Sequence, residues 1–440
     1  MPREILYGWG RTSPSAANLE NPSSQAQVEA LLHSSDATLA RGLGRSYGDA
    51  AQLAGGLVLS NRLLGGISPI DGAGVVTVGA GISIDELLTV AMPQGWFVPV
   101  TPGTRHVTIG GAIAADVHGK NHHLDGSFSR HVTALRLVTP TGTHDLTPAT
   151  HHDLFWATMG GMGLTGVVTE ATLQLIPIRS DHVLVTTMRF DTLDEIMAEM
   201  LAHDDDFRYS VAWVDCMTRG RSMGRGILTR GDHAPSGTTP VAPRGARLTV
   251  PFTAPSGLLN SLTVRAFNEL WFRSSPRHRE AEPQGIGAFF HPLDGVNSWN
   301  RLYGRRGFVQ YQFAVPDEAG DSVRTAIEKL SSSHVPSFLA VLKRFGPGNP
   351  GPLSFPIPGW TLALDLPVGP AKLPGLLNEL DELVLTSGGR VYLAKDSRLD
   401  AATAHAMYPR LEDFRRIKES VDPEGLITSD LARRLNLLGK

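Results

Sequence analysis

The chain has 440 residues, enough for two domains or one large one with an insertion, and its 41% hydrophobic content suits a globular protein with a sizeable core. A formal net charge of −3 argues against a general nucleic-acid binder, which needs a basic excess to displace counterions. The single cysteine, Cys216, excludes an intramolecular disulfide and any cysteine-based zinc site.

The opening MPREILYGWGRTSPS lacks the apolar run of a secretory signal, and no stretch approaches the length of a membrane span. From Gln25 to about His33 the spacing predicts a helix, started by Pro22 and Ser23. Short strands are expected at ATLARG, GLVLSN and GVVTVGAG, then a helix over ISIDELLTVAM and a strand at WFVPV. VTALRLVTP reads as a strand with a turn at Thr141 and Gly142, and DLFWATMGGMGLTGVVTEATLQLIPI as loop glycines followed by an alternating strand. Residues 231–257 and about 274–287 read as irregular. FVQYQFAVP, a helix from Glu318, VPSFLAVLKRFG, WTLALDLP, a helix from Lys372 and GRVYLA give strand–helix–strand twice, a ferredoxin-like split βαβ pattern. HAMYPRLEDFRRIKESVD is expected to be helical.

Within this order, the loop ARGLGRSYGDA places Gly42, Gly44 and Gly48 together, as a loop does when backbone must approach a phosphate. It is not a dinucleotide fingerprint of the Rossmann type. The third glycine comes one residue late, and Gly55 and Gly56 break the helix that should follow. His118 and His122 have a metal-like i, i+4 spacing. Gly119 and Asn121 argue against a helix there, however, and no carboxylate or cysteine partner is evident.

RGLGRSYGD, PGTRHVTIGGAIAADVHGKNHH and LFWATMGGMGLTGVVTEATL together resemble the flavin-binding half of the vanillyl-alcohol-oxidase family. HGKNHH, FVQYQF, PLSFPIPGW, VYLAKDSR and HAMYPR narrow the resemblance, collinearly from about residue 8 to the C-terminus. They point to members that oxidise the C2′ hydroxyl of a polyprenyl-phosphoryl ribose. The resemblance implies an α+β fold. Two small subdomains in residues 1–180, completed by 395–440, would hold FAD, and residues 181–394 would form a substrate domain with the ferredoxin-like sheet.

By that resemblance the cofactor is held by Ala40, Arg41, Gly42, Leu43, Gly44, Arg45, Ser46, Tyr47, Gly48 and Asp49 of the first loop. The second loop would add Gly103, Thr108, Ile109, Gly110, Gly111, Ala115, His118, Gly119 and Asn121, with Val168, Tyr392 and Lys395 from elsewhere. Many relatives carry a flavin-linked histidine near Arg45, so arginine there implies non-covalent FAD. Lys395, His118 and Tyr47 are the catalytic candidates, with the general base left open among them. Gln310 and Gln312 share one strand face by their i, i+2 spacing and suit sugar hydroxyls. Lys343 and Trp213 would line the pocket. Ala363 stands where the best-known relatives carry the cysteine that nitroaromatic inhibitors label. Activity is therefore expected to be retained and that labelling lost.

The segment from Gly257 to Phe272 is apolar at helical spacing and precedes RSSPRHR, which fits either an interfacial helix on anionic lipid or a core helix. The resemblance further implies an NAD(P)H-dependent keto-reductase partner, a quinone-like electron acceptor, and a place at the plasma membrane on the envelope side. A flavin oxidase of a soluble sugar or aldonolactone using dioxygen, and a flavoprotein scaffold without turnover, are the alternatives.

Overall fold

The computed structural model describes residues 3–237, 239–246, 248–255 and 257–439. Its α and β elements are mixed and build several sheets, of which three matter for the site. The first sheet is parallel at its centre. Ser15–Glu20, Leu57–Ser60 and Thr38–Arg41 lie in that spatial order, with Glu4–Leu6 antiparallel at one edge. The helix Gln25–Leu32 starts where the sequence suggested, but its cap is one residue nearer. Ser24, not Ser23, accepts a hydrogen bond from the Gln27 amide and so satisfies a free helix-end donor.

The second sheet is antiparallel, in the order Val75–Gly79, Val167–Gln174, Val132–Thr139, Gly142–Leu146. Helix Ile84–Ala91 covers it and is fixed by a capping box. Ser83 takes the Glu86 amide, and Glu86 returns to the Ser83 amide. WFVPV shortens to a two-residue strand, Trp96–Phe97, and a helix absent from the sequence reading, His152–Thr158, lies before the loop glycines.

The third sheet has eight strands. In spatial order they are His278–Gly285, His182–Phe190, Gly226–His233, Tyr209–Val214, Ala340–Phe345, Gly359–Pro367, Phe308–Pro316 and Arg390–Val391. His278–Gly285 corrects the irregular reading of 274–287. Its charged residues and Pro283 disguise it, because an edge strand carries such groups without disrupting the sheet. Part of 231–257 is ordered too: Gly226–His233 runs into it, and Leu248–Thr249 pairs with Val296–Asn297. Helices Asp321–Ser333 and Leu373–Thr386 connect the last strands and pack on each other.

Alternation on these strands divides core from site. Along Gly359–Pro367, Trp360, Leu362, Leu364 and Leu366 are buried in the main core with Ile327, Leu330 and Leu380 from the helices. Thr361, Ala363 and Asp365 therefore face the other way. The registers Gln310↔Asp365, Gln312↔Ala363, Lys343↔Thr361 and Trp213↔Val341 carry the same division across four strands. One face of the sheet is aliphatic and closed. The other is a wall of functional side chains.

GRVYLA departs from expectation. The strand stops at Val391, and the chain turns over Tyr392–Asp396, the Lys395 amide donating to the Tyr392 carbonyl at 2.9 Å. Lys395 therefore sits in a tight turn and not at a strand end. HAMYPRLEDFRRIKESVD also splits, into Ala401–Met407 and Leu411–Val421, because Pro409 disfavours helix in the residue before it. The tail then returns to the first sheet, where Ile427 bridges Thr38 and the Asp430 amide donates to the Gln52 carbonyl. No helix of the described residues is long and apolar enough to cross a membrane.

Candidate active site

The two glycine loops and the polar face of the eight-stranded sheet enclose a cavity of about 590 Å³. That is the size of a cofactor or ligand pocket. Residues Ala40–Tyr47 line it without a break. Gly44 has φ +62°, a left-handed conformation that lets the loop reverse where a side chain would strain it. Gly48 serves packing: a Cβ there would strike the Asp396 carbonyl, so the loop can lie directly on the Lys395 turn. The Tyr47 amide donates to the Ala394 carbonyl at 3.1 Å across this contact. Arg434 of the C-terminal tail braces both sides, with Asp49 at 2.8 Å and Asp396 at 2.9 Å.

The second loop meets the first at Thr108, which caps helix Ile109–Ala114 by accepting from the Gly111 amide. A Cβ on Gly42 would collide with the Thr108 side chain, so glycine is required for the two loops to touch. Gly103, Gly110, Gly111, Ala115, Gly119 and Val168 line the cavity. Gly48, Asp49, Ile109 and Asn121 stand behind that lining. Ile109 is core, and Asn121 donates to the Pro99 carbonyl at 2.9 Å.

Deeper in, His118 accepts a hydrogen bond at Nε2 from the Gln312 amide at 2.9 Å, while its Nδ1 is buried without a partner. Burial, then the positive charges of Lys343, His122 and Lys395, hold His118 well below the usual imidazole range, so it is a neutral ring. It packs on Phe345 and Tyr392, with centroids 4.8 and 5.1 Å apart. The Tyr392 hydroxyl donates to the Ala115 carbonyl at 2.6 Å and so ties the sheet to the second loop. Helix His122–Asp125 begins only at His122, which leaves His118 outside it. No group of three or more His, Cys, Asp or Glu among the described residues is placed to hold a metal ion.

Lys395 Nζ lies 4.0 Å from the centroid of the Tyr47 ring. Burial lowers its ammonium to about 7, opposed by Asp365 and assisted by Lys343. Tyr47 is driven the other way, well above the ordinary phenol range, by burial and then by Asp365. It keeps its proton. Asp365 escaped the sequence reading although it occupies the cavity-side register of WTLALDLP. It accepts from Gln310 Nε2 at 2.5 Å and from the Tyr303 hydroxyl at 3.4 Å, and burial raises it to about 7.

Gln312, Lys343, Trp213 and Ala363 all reach the cavity lining, as does Lys120, which the sequence reading also missed. Arg45 stacks 3.8 Å over the Trp9 ring and leaves its Nε without a partner. The segment expected to be interfacial or core forms the helix Ser261–Ser274. Val264, Asn268 and Phe272 are buried, and Leu262 and Leu270 are 78% and 70% exposed. A purely core helix is thereby corrected.

A family model described as an FAD binding domain matches residues 17–147. Decaprenylphosphoryl-beta-D-ribose oxidase of Mycolicibacterium smegmatis is 45% identical over 455 residues, 98% of this chain and 97% of that protein. The chain belongs to that oxidase's family. An uncharacterized protein in the mprA 5′ region of Streptomyces coelicolor is 42% identical over 81% of this chain and all of its own length. L-galactono-1,4-lactone dehydrogenase 2 of Oryza sativa is 33% identical over 122 residues, 28% of this chain and 20% of its own.

FAD fits the residues present. Thr101 Oγ1, Asn61 Oδ1, Arg45 Nε and His118 Nδ1 line the cavity as buried polar atoms without protein partners, and a ligand of many heteroatoms would satisfy them. At Gly103 and Gly163 a Cβ would meet nothing within 4 Å, so the glycines leave open space at the cavity wall. The protein is an FAD-dependent oxidoreductase.

Proposed function

We propose that the protein oxidises the C2′ hydroxyl of decaprenylphosphoryl-β-D-ribose to the 2′-keto sugar. The observation that carries this reading is the placement of Lys395, Gln310 and Gln312 together on one side of the cavity, with His118 of the second glycine loop hydrogen-bonded to Gln312, in a chain 45% identical to the ribose oxidase. Bound FAD supplies the hydride acceptor. It is held without a covalent bond, a reading supported by Arg45, which stands in the first loop near where many relatives carry a flavin-linked histidine.

The chain's own residues orient the sugar and move one proton. Gln310 and Gln312 present amides to hydroxyls, the first held by Asp365 and the second shared with Thr361 at 3.1 Å. Lys395, lowered to about 7, accepts the C2′ hydroxyl proton at Nζ. The resulting ammonium then stabilises the negative charge that develops beside it. His118 stays neutral, accepts from Gln312 at Nε2 and leaves Nδ1–H as an unpartnered donor. Tyr47, with its raised pKa, acts as a donor and not as the base.

The architecture supporting this is the vanillyl-alcohol-oxidase type, with FAD held by residues 1–180 and 395–440 and substrate by 181–394. The strand order from Ala340–Phe345 to Arg390–Val391, with its two connecting helices, supports the ferredoxin-like description of the second part. The enzyme works at a membrane surface on the envelope side, beside an NAD(P)H-dependent reductase that consumes the keto sugar. A quinone-like molecule reoxidises the cofactor. Phe267 and Trp271 of helix Ser261–Ser274 both line the cavity and remain nearly half exposed, which supports an outlet for a lipid tail.

Product trapping tests the reaction. After turnover with the polyprenyl-phosphoryl ribose and a dye acceptor, borodeuteride should place deuterium at C2′ of the sugar. Label elsewhere, or turnover only of free aldonolactones, would contradict it.

A further inference from the structure

The sheet wall that lines the cavity carries a lysine with no acidic partner among the described residues. Phe345, Lys343, Val341 and Leu339 succeed one another on the cavity side of one strand and its lead-in. Phe345 packs against His118 and His122, while the register through Gly359–Pro367 sets Gln312 level with Val341 and Gln310 level with Leu339. At the opposite end Phe338 meets Phe267 of the exposed helix at 5.8 Å and accepts the Trp213 indole at 2.9 Å. Strand rise puts Lys343 about 7 Å from Phe345 and about 14 Å from Leu339. Lys343 thus lies beyond Gln312 and Gln310 on the side away from the Phe338 end, beside the His118 end of the cavity.

Lys120 joins it from the neighbouring loop. Its Nζ donates to the Phe289 carbonyl at 2.5 Å and lies 4.0 Å from that ring's centroid, while Lys343 Nζ donates at 3.4 Å to the carbonyl of the adjacent Gly119. Neither ammonium has a carboxylate within ion-pair distance among the described residues, and no acidic group acts on either charge. Lys395 differs, because Asp365 supports it. Burial lowers Lys343 to about 8 and Lys120 to about 7, the second also through Lys343. A bound anion would restore both charges. Two buried cations without counter-charge are costly unless the ligand supplies it.

We propose that Lys120 and Lys343 form a subsite for the phosphate of the lipid-borne substrate. The assignment rests on the polyprenyl-phosphoryl ribose reading above.

The test uses the FAD-loaded full chain and compares binding of farnesyl phosphate with farnesol, read from perturbation of the flavin spectrum. The unmutated protein should bind the phosphate at least about tenfold more tightly, with inorganic phosphate competing against farnesyl phosphate and not against farnesol. Lys120→Met and Lys343→Met should each lose on the order of tenfold for farnesyl phosphate alone, and Lys343→Arg should recover most of that loss. Equal affinities for the two ligands in the unmutated protein would overturn the subsite, as would methionine variants that retain both FAD and the preference. Where a methionine variant loses FAD, the inorganic phosphate competition in the unmutated protein decides. Tight phosphate binding without reduction by the polyprenyl-phosphoryl ribose would uphold the subsite and overturn the reaction assigned above.

Discussion

The two walls of the cavity differ in kind. The wall from the first 180 residues brings backbone to the cavity at Gly42, Gly44, Gly110 and Gly111, with Arg45, Tyr47, His118 and Lys120 standing out from it. The wall from the eight-stranded sheet is side-chain chemistry, with Lys343, Gln310, Gln312 and Ala363 on alternating positions and Lys395 in the turn beside them. A backbone wall tolerates changes of charge nearby but not of volume. A side-chain wall tolerates small changes of volume but not of charge.

The strongest contrast should come from Lys395→Met, which removes the proposed base and leaves the glycine loops intact. Anaerobic flavin reduction should fall by roughly 10²- to 10⁴-fold, with FAD still bound in the purified variant. A loss below about threefold would break the comparison, because the sheet wall would then carry no essential charge. Gly42→Val probes the other wall. Its added volume meets Thr108 and should weaken FAD affinity by roughly 10- to 100-fold, measured by fluorescence titration of the apoprotein.

Leu364→Ala acts behind the sheet wall. It should cost about 2–5 kcal/mol of stability in denaturant unfolding, because Leu364 is fully buried, while the flavin spectrum of the folded fraction stays unchanged. Asp365→Asn sharpens the charge argument. Lys395 must be neutral to accept the proton, so the rate should rise with pH through about 7. Asp365 raises the Lys395 pKa, and its loss should move that limb to lower pH in stopped-flow reduction. An unmoved limb would separate Asp365 from Lys395. The smallest effect belongs to Ala363→Cys, which should alter turnover by less than about twofold and create a thiol open to nitroaromatic labelling, read by mass spectrometry.

The contrast also governs what could be read from the sequence. Glycine loops announce themselves, since RGLGRSYGD and TIGGA combine residues that few other structures need so close together. Residues Ala40–Tyr47 line the cavity, while Gly48 and Asp49 stand behind it. Gln310 and Gln312 were legible because two amides interrupt an apolar strand at period two. Asp365 was not, although the same periodicity carries it. Its role depends on cross-strand pairing with Gln310, a non-local fact that a linear pattern leaves unspecified. Lys120 lay inside the motif HGKNHH, where the histidines drew attention. Only the tertiary approach of Gly119 to Lys343 brings it into the site. The edge strand His278–Gly285 was hidden by its charges, and the turn at Tyr392–Asp396 by the alternating residues before it.

The most direct measurement is the visible absorption spectrum of the purified protein before and after anaerobic addition of polyprenyl-phosphoryl ribose. The flavin bands should bleach with this substrate and remain oxidised with free aldonolactones or polyols. Bands that persist with the lipid-borne ribose, in protein carrying its full complement of FAD, would contradict the assigned reaction.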